Sequence, residues 1–287
     1  MEVPPDVFPA GQPGLTARFL TLRSRARVRI VEAGAPGGRP VVLLPGWACS
    51  AYLYRHTFRP LAEAGLHAIA VELRGQGWSD HPDVSGVYSL DAMAAQALEV
   101  LDALDLGAVR LVGMSLGGGV ALRAALEAPS RVQRLALLGA VGLGRVHFVW
   151  MSRVLPTMFA PAFGRLFHRI SVTAALRIAY GRLGAPTAHD VDEYHAPARN
   201  PAFGRALWRQ LHEVDWRPLG PRELRRLSMP VLAVFGTHDY IVPPRDVGRM
   251  LAHVPDARLA LVDGAGHAAV EEAPGEVNRE LVPFLAM

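Results

Sequence analysis

The stretch from Val109 to Leu122 constrains the fold of this chain more than any other. It reads VRLVGMSLGGGVAL, so a short apolar run stops at Gly-Met-Ser-Leu-Gly and a small-residue helical pattern follows directly. A side chain on a sharp strand-to-helix turn needs small residues two positions before and after it, because neighbouring backbones approach closely there. Gly113 and Gly117 meet that need, and the stretch predicts a tight turn that displays Ser115. An ordinary loop serine remains the alternative for this stretch alone.

Apolar runs alternate with helical patterns along most of the chain. Strands are predicted at 19–23, 28–32, 41–44, 67–73, 132–138, 231–235 and 259–262. A further strand begins at residue 109 and ends at the turn that displays Ser115. Such alternation predicts an α/β fold with a mostly parallel central sheet of about eight strands flanked by helices. It is interrupted at residues 144–219, where prolines separate several helical stretches. We therefore expect a core of residues 1–143 and 220–287, with residues 144–219 forming an inserted helical cap.

Composition excludes several functional classes. The formal net charge is +4, but all 30 basic residues are arginines scattered along the chain, so no nucleic-acid partner is expected. Only Arg23 to Arg29 forms an alternating arginine run, which on a strand predicts one solvated face. The single cysteine, Cys49, allows no intramolecular disulfide. No signal sequence and no apolar run of roughly 18 to 20 residues is found, so a cytoplasmic protein without a membrane span is expected.

Residues suited to nucleophilic catalysis follow two later strands. Asp239 comes shortly after the strand at 231–235, and His267 follows the strand at 259–262. Ligands of parallel sheets bind beyond the carboxyl ends of the strands, which gather at one edge. A serine hydroxyl needs a base to take its proton, and the base needs an acid to orient it. The chain order Ser115, Asp239, His267 is the order of an α/β-hydrolase triad.

Five ordered segments resemble those of the α/β-hydrolase superfamily, and the resemblance covers nearly the whole chain. They are the oxyanion loop at 44–47, the arginine-glycine loop at 73–79, the elbow at 113–117, the acid turn at 236–239 and the histidine loop at 266–274. The resemblance implies that Ser115 attacks a carbonyl, that His267 accepts and returns its proton, and that Asp239 holds the imidazole. The backbone N–H groups of Trp47 and Leu116 would bind the oxyanion.

Two positions depart from the family pattern. Pro45 stands where histidine often precedes the oxyanion-loop glycine, which leaves the backbone donor in place. Glu72 stands where aspartate is common, and this difference is interpreted as neutral.

Several single residues admit another interpretation. His238 neighbours the predicted acid and could be mistaken for the base, but a structural or entrance role is favoured for it. Asp263 could replace Asp239 as the orienting acid, and Cys49 is either a small packed residue or a thiol near the site entrance. The histidines of residues 144–219 lack a ligand spacing such as H-E-x-x-H, so no metal and no cofactor are expected.

The aromatic and methionine residues of 144–219 have two interpretations. They bury cap helices against the core, or part of the set lines an apolar acyl pocket that faces Ser115. The pocket candidates are Phe148, Met151, Phe159 and Phe163.

The function predicted first is a serine esterase that cleaves carboxylic esters or related acyl compounds through an acyl-enzyme. Its expected partner is an apolar small-molecule acyl substrate, and a monomer or a homodimer is expected. Serine at the elbow disfavours epoxide hydrolases and haloalkane dehalogenases, which resemble this fold but use aspartate there. A carbon–carbon bond hydrolase of ring-cleavage products, a lactonase and an acyl thioesterase stay open. So does a ligand-binding receptor that retains the triad.

Overall fold

A computed structural model describes residues 3–147 and 168–287. The described chain forms one eight-stranded sheet in the order β1-β2-β4-β3-β5-β6-β7-β8. The strands are β1 Leu15–Thr21, β2 Arg27–Ala33, β3 Arg39–Leu44, β4 Leu66–Glu72, β5 Val109–Met114, β6 Val132–Leu138, β7 Val231–Gly236 and β8 Ala257–Val262. The pairs β1–β2 and β2–β4 are antiparallel, and all other neighbouring pairs are parallel. The predicted mostly parallel sheet of about eight strands is confirmed.

Helices cover both faces of the sheet. They are α1 Phe58–Glu63, α2 Leu90–Ala103, α3 Leu116–Glu127, α4 Arg169–Ala179, α5 Ala188–His195, α6 Pro201–Glu213, α7 Pro221–Leu224, α8 Val247–Leu251, α9 Ala269–Glu272 and α10 Pro274–Ala286. The strands β4 and β5 are buried along their whole length, as expected for strands packed on both faces. Two large clusters of buried apolar side chains result, one on each side of the sheet.

Local sequence explains where the helix before the elbow begins and ends. Ser89 accepts a hydrogen bond from the Ala92 N–H at 3.2 Å, which caps the first turn of α2. The helical residues of α2 stop at Ala103, and Leu104 already leaves the helical conformation.

Of the arginine run, Arg23, Arg25 and Arg27 are exposed as predicted, but Arg29 is buried, so the prediction of one solvated face is wrong at Arg29. The strand β2 lies between β1 and β4, and Arg29 stands directly opposite Glu72 in the register of the sheet. Both side chains are buried, and their charged atoms pair at 3.0 Å. Glu72 also accepts hydrogen bonds from the backbone N–H groups of Ala51 and Trp78. The glutamate is therefore part of the core architecture.

The helices α4, α5 and α6 lie in the chain between β6 and β7. Asn200 caps α6 by accepting from the Ala202 N–H at 2.9 Å, and the apolar face of α6 is buried. Its buried side chains include Phe203, Leu207 and Trp208. We propose that these helices belong to the cap predicted at 144–219.

Candidate active site

Ser115 occupies the turn between β5 and α3. Its backbone has φ 53° and ψ −117°, a conformation that costs a non-glycine residue energy and persists only where the surroundings fix it. Four backbone hydrogen bonds do so. The Ser115 N–H donates to the Leu138 carbonyl at 2.9 Å, and the Ser115 carbonyl accepts from Gly118 and Val141, each at 3.0 Å, and from Gly119 at 3.2 Å. The predicted strand, tight turn and helix around this serine are confirmed.

The small residues around the turn are required by close backbone packing. A Cβ atom at Gly113 would lie 2.3 Å from the Gly117 carbonyl oxygen. One at Gly117 would lie 2.1 Å from the carbonyl oxygen of Leu44. Both distances are far below a normal contact, so α3 can approach β3 and β5 only because these residues lack side chains.

His267 and Asp239 meet beyond the ends of β7 and β8. The His267 Nδ1 lies 2.8 Å from the Asp239 Oδ2, and both side chains are buried. The other carboxylate oxygen of Asp239 accepts from the backbone N–H groups of Ile241 and Val242 at 2.9 and 2.8 Å. The carboxylate is thereby held in place, and it can orient the imidazole with Nε2 left for chemistry.

Ser115 and the His267–Asp239 pair approach the same short segment after β6. Ser115 bonds to Leu138, and a Cβ at the next residue, Gly139, would lie 3.1 Å from His267 Nδ1 and 3.3 Å from Asp239 Oδ2. In the described part of the chain, the Ser115 hydroxyl and the His267 ring make no direct hydrogen bond. Such bonds are often long without substrate and tighten when it binds. The structure thus brings the three predicted residues to one edge of the sheet.

Asp263 and His238, the competing candidates for the acid and the base, both contact the Thr237 hydroxyl. The exposed Asp263 accepts a hydrogen bond from the Thr237 hydroxyl at 3.1 Å. His238 has its Nδ1 3.0 Å from the same hydroxyl. Of the two carboxylates weighed as the orienting acid, Asp239 is the one that contacts His267.

The loop after β3 passes directly over the elbow. A Cβ at Gly46 would lie 3.3 Å from the Ser115 Cβ and 3.0 Å from the Met114 Sδ. Trp47 follows Gly46, and its indole Nε1 donates to the Leu207 carbonyl of α6 at 3.2 Å. The loop predicted to supply an oxyanion donor is therefore adjacent to Ser115 and is joined to the inserted helices.

Leu116 is the first helical residue after the serine and is fully buried. An N–H in the first turn of a helix has no acceptor within that helix, and it lies at the positive end of the helix dipole. This position suits the second predicted oxyanion donor.

Cys49 packs beside the same loop. Its thiol donates to the Trp47 carbonyl at 3.4 Å, and its backbone N–H donates to the Gly46 carbonyl at 3.2 Å. Burial, reinforced by the Glu271 carboxylate, raises the pKa of the Cys49 thiol to about 12. The thiol therefore stays protonated at neutral pH, which favours the interpretation as a packed residue.

A buried ionic network that the sequence did not predict joins α5 to the core. The Arg55 guanidinium lies 2.8 Å from the Asp190 carboxylate and also pairs with Glu271. Tyr52 donates to Asp190 at 2.7 Å, and Tyr194 donates to Glu271 at 2.9 Å. Burial raises the pKa of Glu271 even though Arg55 and Tyr194 oppose the shift.

A cavity of about 410 Å³ adjoins this network. Its lining includes Tyr52, Arg55, Tyr180, Asp190 and Glu271, and it does not include Ser115 or His267. The network had no sequence signal, because its members are far apart in the chain and carry no shared spacing.

Three further expectations concern the acyl pocket, a metal site and a membrane span, and the structure describes residues 3–147 and 168–287. The pocket candidates Phe148, Met151, Phe159 and Phe163 lie outside them. Residues 3–147 and 168–287 contain no group of three or more His, Cys, Asp or Glu side chains that could hold a metal ion. Within the same ranges, no helix is both long enough and apolar enough to cross a membrane.

The family model, the relatives and the solved structures that resemble this chain agree on one fold family. A family model described as "alpha/beta hydrolase fold" matches residues 39–274. Epoxide hydrolase A of Mycobacterium tuberculosis is 28% identical, over 90% of this chain and 94% of its own. A 2-hydroxy-6-oxononadienedioate/2-hydroxy-6-oxononatrienedioate hydrolase of Cupriavidus pinatubonensis is 28% identical, over 94% and 95%. The solved structure of the epoxide hydrolase CorEH superposes with a TM-score of 0.82 at 23% identity, covering 95% of this chain and 99% of that one.

Proposed function

The chain belongs to the α/β-hydrolase fold family, and we propose that it is a serine hydrolase that cleaves carboxylic esters through an acyl intermediate on Ser115. The observation that carries this proposal is the serine itself, held at φ 53° beside a buried His267–Asp239 pair. A hydroxyl in that position needs only a base within reach to become a nucleophile.

The proposed mechanism has two steps with the same participants. His267 takes the Ser115 proton as the oxygen attacks the ester carbonyl, and Asp239 stabilises the imidazolium that forms. The N–H groups of Trp47 and Leu116 bind the oxyanion, and His267 then returns the proton to the leaving alcohol. Water activated by His267 attacks the acyl group in the second step, which releases the acid and restores the serine. One oxyanion donor contributes about 3 kcal/mol of transition-state stabilisation.

The serine argues against hydrolysis of epoxides, although the first relative named above is called an epoxide hydrolase. A carboxylate that opens an epoxide forms an ester, which water can hydrolyse in a second step. A serine that opens an epoxide would form an ether, and no comparable hydrolytic step returns the free enzyme. Ser115 is therefore suited to acyl transfer.

Cleavage of carbon–carbon bonds is the second candidate function. The relative from Cupriavidus pinatubonensis, matched over nearly the full length of both chains, favours it. Its name describes a hydrolase of a 2-hydroxy-6-oxo dienedioate. Such a compound contains a ketone and no ester, so its hydrolysis would have to break a carbon–carbon bond. The same catalytic groups could serve that reaction, so the substrate decides between the two candidates.

A substrate panel tests the proposal. It contains p-nitrophenyl esters of increasing acyl length, an aryl epoxide and a vinylogous 1,5-diketo acid, each assayed with the wild-type protein and with Ser115→Ala. We expect short or medium esters to react fastest, and Ser115→Ala to lower the rate at least roughly a thousandfold.

Each contrary result has a defined meaning. Equal ester rates in the two proteins would remove Ser115 from the mechanism. A diketo acid that is cleaved faster than every ester would select the carbon–carbon reaction. Saturable ligand binding without turnover would instead indicate a receptor.

A further inference from the structure

The arginine-glycine loop at 73–79 contains a buried amide that contacts the oxyanion loop. Gln76 is fully buried at the centre of this loop. Its side-chain oxygen accepts a hydrogen bond from the Leu73 N–H at 3.0 Å, which fixes which end of the amide is the donor. The Nε2 group then donates to the carbonyls of Pro45 and Gly46 at 2.8 and 3.1 Å. One side chain thus binds two consecutive peptide groups of the loop over Ser115.

The second of these contacts bears on the proposed oxyanion donor. The carbonyl of Gly46 and the N–H of Trp47 belong to the same peptide group, which is planar and has its C=O and N–H pointing in opposite directions. Fixing the carbonyl of Gly46 therefore fixes the direction of the Trp47 N–H. The Cys49 N–H holds this carbonyl from within the loop at 3.2 Å, and Gln76 holds it from outside the loop. A hydrogen bond to the carbonyl oxygen also polarises the peptide and makes its N–H a better donor.

We propose that Gln76 is a positioning residue that holds the Gly46–Trp47 peptide so that the Trp47 N–H faces the oxyanion formed on the substrate of Ser115. This inference rests on the proposed function, because the oxyanion arises only if Ser115 attacks a carbonyl. Gln76 does not touch the substrate, and its contribution is confined to the orientation of the donor. Its effect should therefore grow from the ground state to the transition state, where negative charge has developed on the oxygen.

The chain provides a matched control for this inference. Gln96 is also buried, and its side-chain oxygen accepts a hydrogen bond from the Arg74 N–H at 2.9 Å. It therefore supports the same arginine-glycine loop from α2. The glutamine amide that donates to the carbonyls of Pro45 and Gly46 is that of Gln76. Replacing either glutamine with methionine keeps the length of the side chain and removes its hydrogen bonds.

The test compares Gln76→Met and Gln96→Met with the wild type, using the fastest ester of the panel and a trifluoromethyl ketone with the same acyl group. The ketone forms a tetrahedral oxyanion on the serine and so reports on the oxyanion site. We expect Gln76→Met to lower kcat about 10- to 1,000-fold with KM within about threefold, and to weaken inhibition by the ketone in parallel with kcat/KM. Gln96→Met should keep kcat and ketone affinity within about threefold of the wild type, even if its melting temperature falls as much as that of Gln76→Met.

Gln76→Glu serves as a second variant if Gln76→Met does not fold. It keeps the acceptor for the Leu73 N–H and leaves at most one donated hydrogen bond to the oxyanion loop. A fall of kcat in the same direction is expected, because a protonated glutamate replaces one of the two donated bonds at most and a carboxylate replaces neither.

Three results would overturn the inference. The first is that the two methionine variants lose kcat equally. The second is that Gln76→Met raises KM while kcat and ketone affinity are unchanged. The third is that Gln76→Glu has the same kcat and the same ketone affinity as the wild type. Failure of the proposed function is distinguishable from these, because the wild-type protein itself would then neither hydrolyse the ester nor bind the ketone.

Discussion

At the scale of single residues, the acid that orients His267 is distinguished by its contacts and not by its distance along the chain. Asp263 is only four residues before His267, but it is exposed and its carboxylate bonds to Thr237. Asp239 is 28 residues away, buried, and 2.8 Å from the imidazole. The fold therefore joins the more distant pair.

This difference gives a prediction for the two carboxylates. Asp239→Asn should lower kcat about 10⁴-fold, because an amide facing Nδ1 favours the wrong tautomer and cannot stabilise the imidazolium. Asp263→Asn is its control and should stay within about threefold of the wild type. Ester hydrolysis at saturating substrate measures both, and a larger loss in Asp263→Asn would transfer the orienting role to Asp263.

At the scale of elements, the segment after the arginine-glycine loop contacts α6 through a histidine. The His81 ring lies 5.4 Å from the ring of Phe203, in an edge-to-face arrangement. Its Nε2 is buried and has no hydrogen-bond partner among the residues that the structure describes. Burial lowers the pKa of His81 from 6.5 to about 4, although the neighbouring Asp80 opposes the shift.

The lowered pKa of His81 predicts a pH-dependent contribution to stability. The unfolded chain binds a proton at this histidine below pH 6.5, whereas the folded protein does so only near pH 4. The free energy of unfolding should therefore fall as the pH drops from 6.5 towards 4. His81→Phe keeps the ring contact and removes the titration. As the pH falls from 6.5 towards 4, the free energy of unfolding of this variant should therefore rise relative to that of the wild type, by roughly 1 to 3 kcal/mol.

Urea unfolding of the wild type and His81→Phe at pH 7.5, 6.0 and 5.0 measures this difference. A difference that stays constant with pH would show that His81 does not titrate differently in the folded and unfolded states.

At the scale of the whole molecule, the sequence predicted those features that depend on neighbours in the chain. The turn at Ser115 followed from Gly113 and Gly117, and the hydrolase segments followed from their order. The burial of Arg29 could not be predicted, because it depends on β2 lying between β1 and β4 and on Glu72 standing opposite. Alternation within one strand cannot indicate which strands flank it.

Gln76 illustrates the same limit within the candidate site. Its loop was identified from the sequence, but its two contacts cross to residues 30 and 31 positions away. Their geometry depends on the packing of β3 beside β4. The whole fold, and not the loop alone, places the amide against the oxyanion loop.

The central proposal, that Ser115 is the nucleophile, is tested most directly by chemical labelling. The protein is treated with an alkyl fluorophosphonate, and intact mass, peptide mapping and ester hydrolysis are followed together, with Ser115→Ala as the control. We expect one adduct per chain, located on Ser115, with hydrolysis lost in proportion to labelling and no adduct in the variant. Full hydrolysis after stoichiometric labelling of Ser115, or complete inactivation with the adduct on another residue, would contradict the proposal.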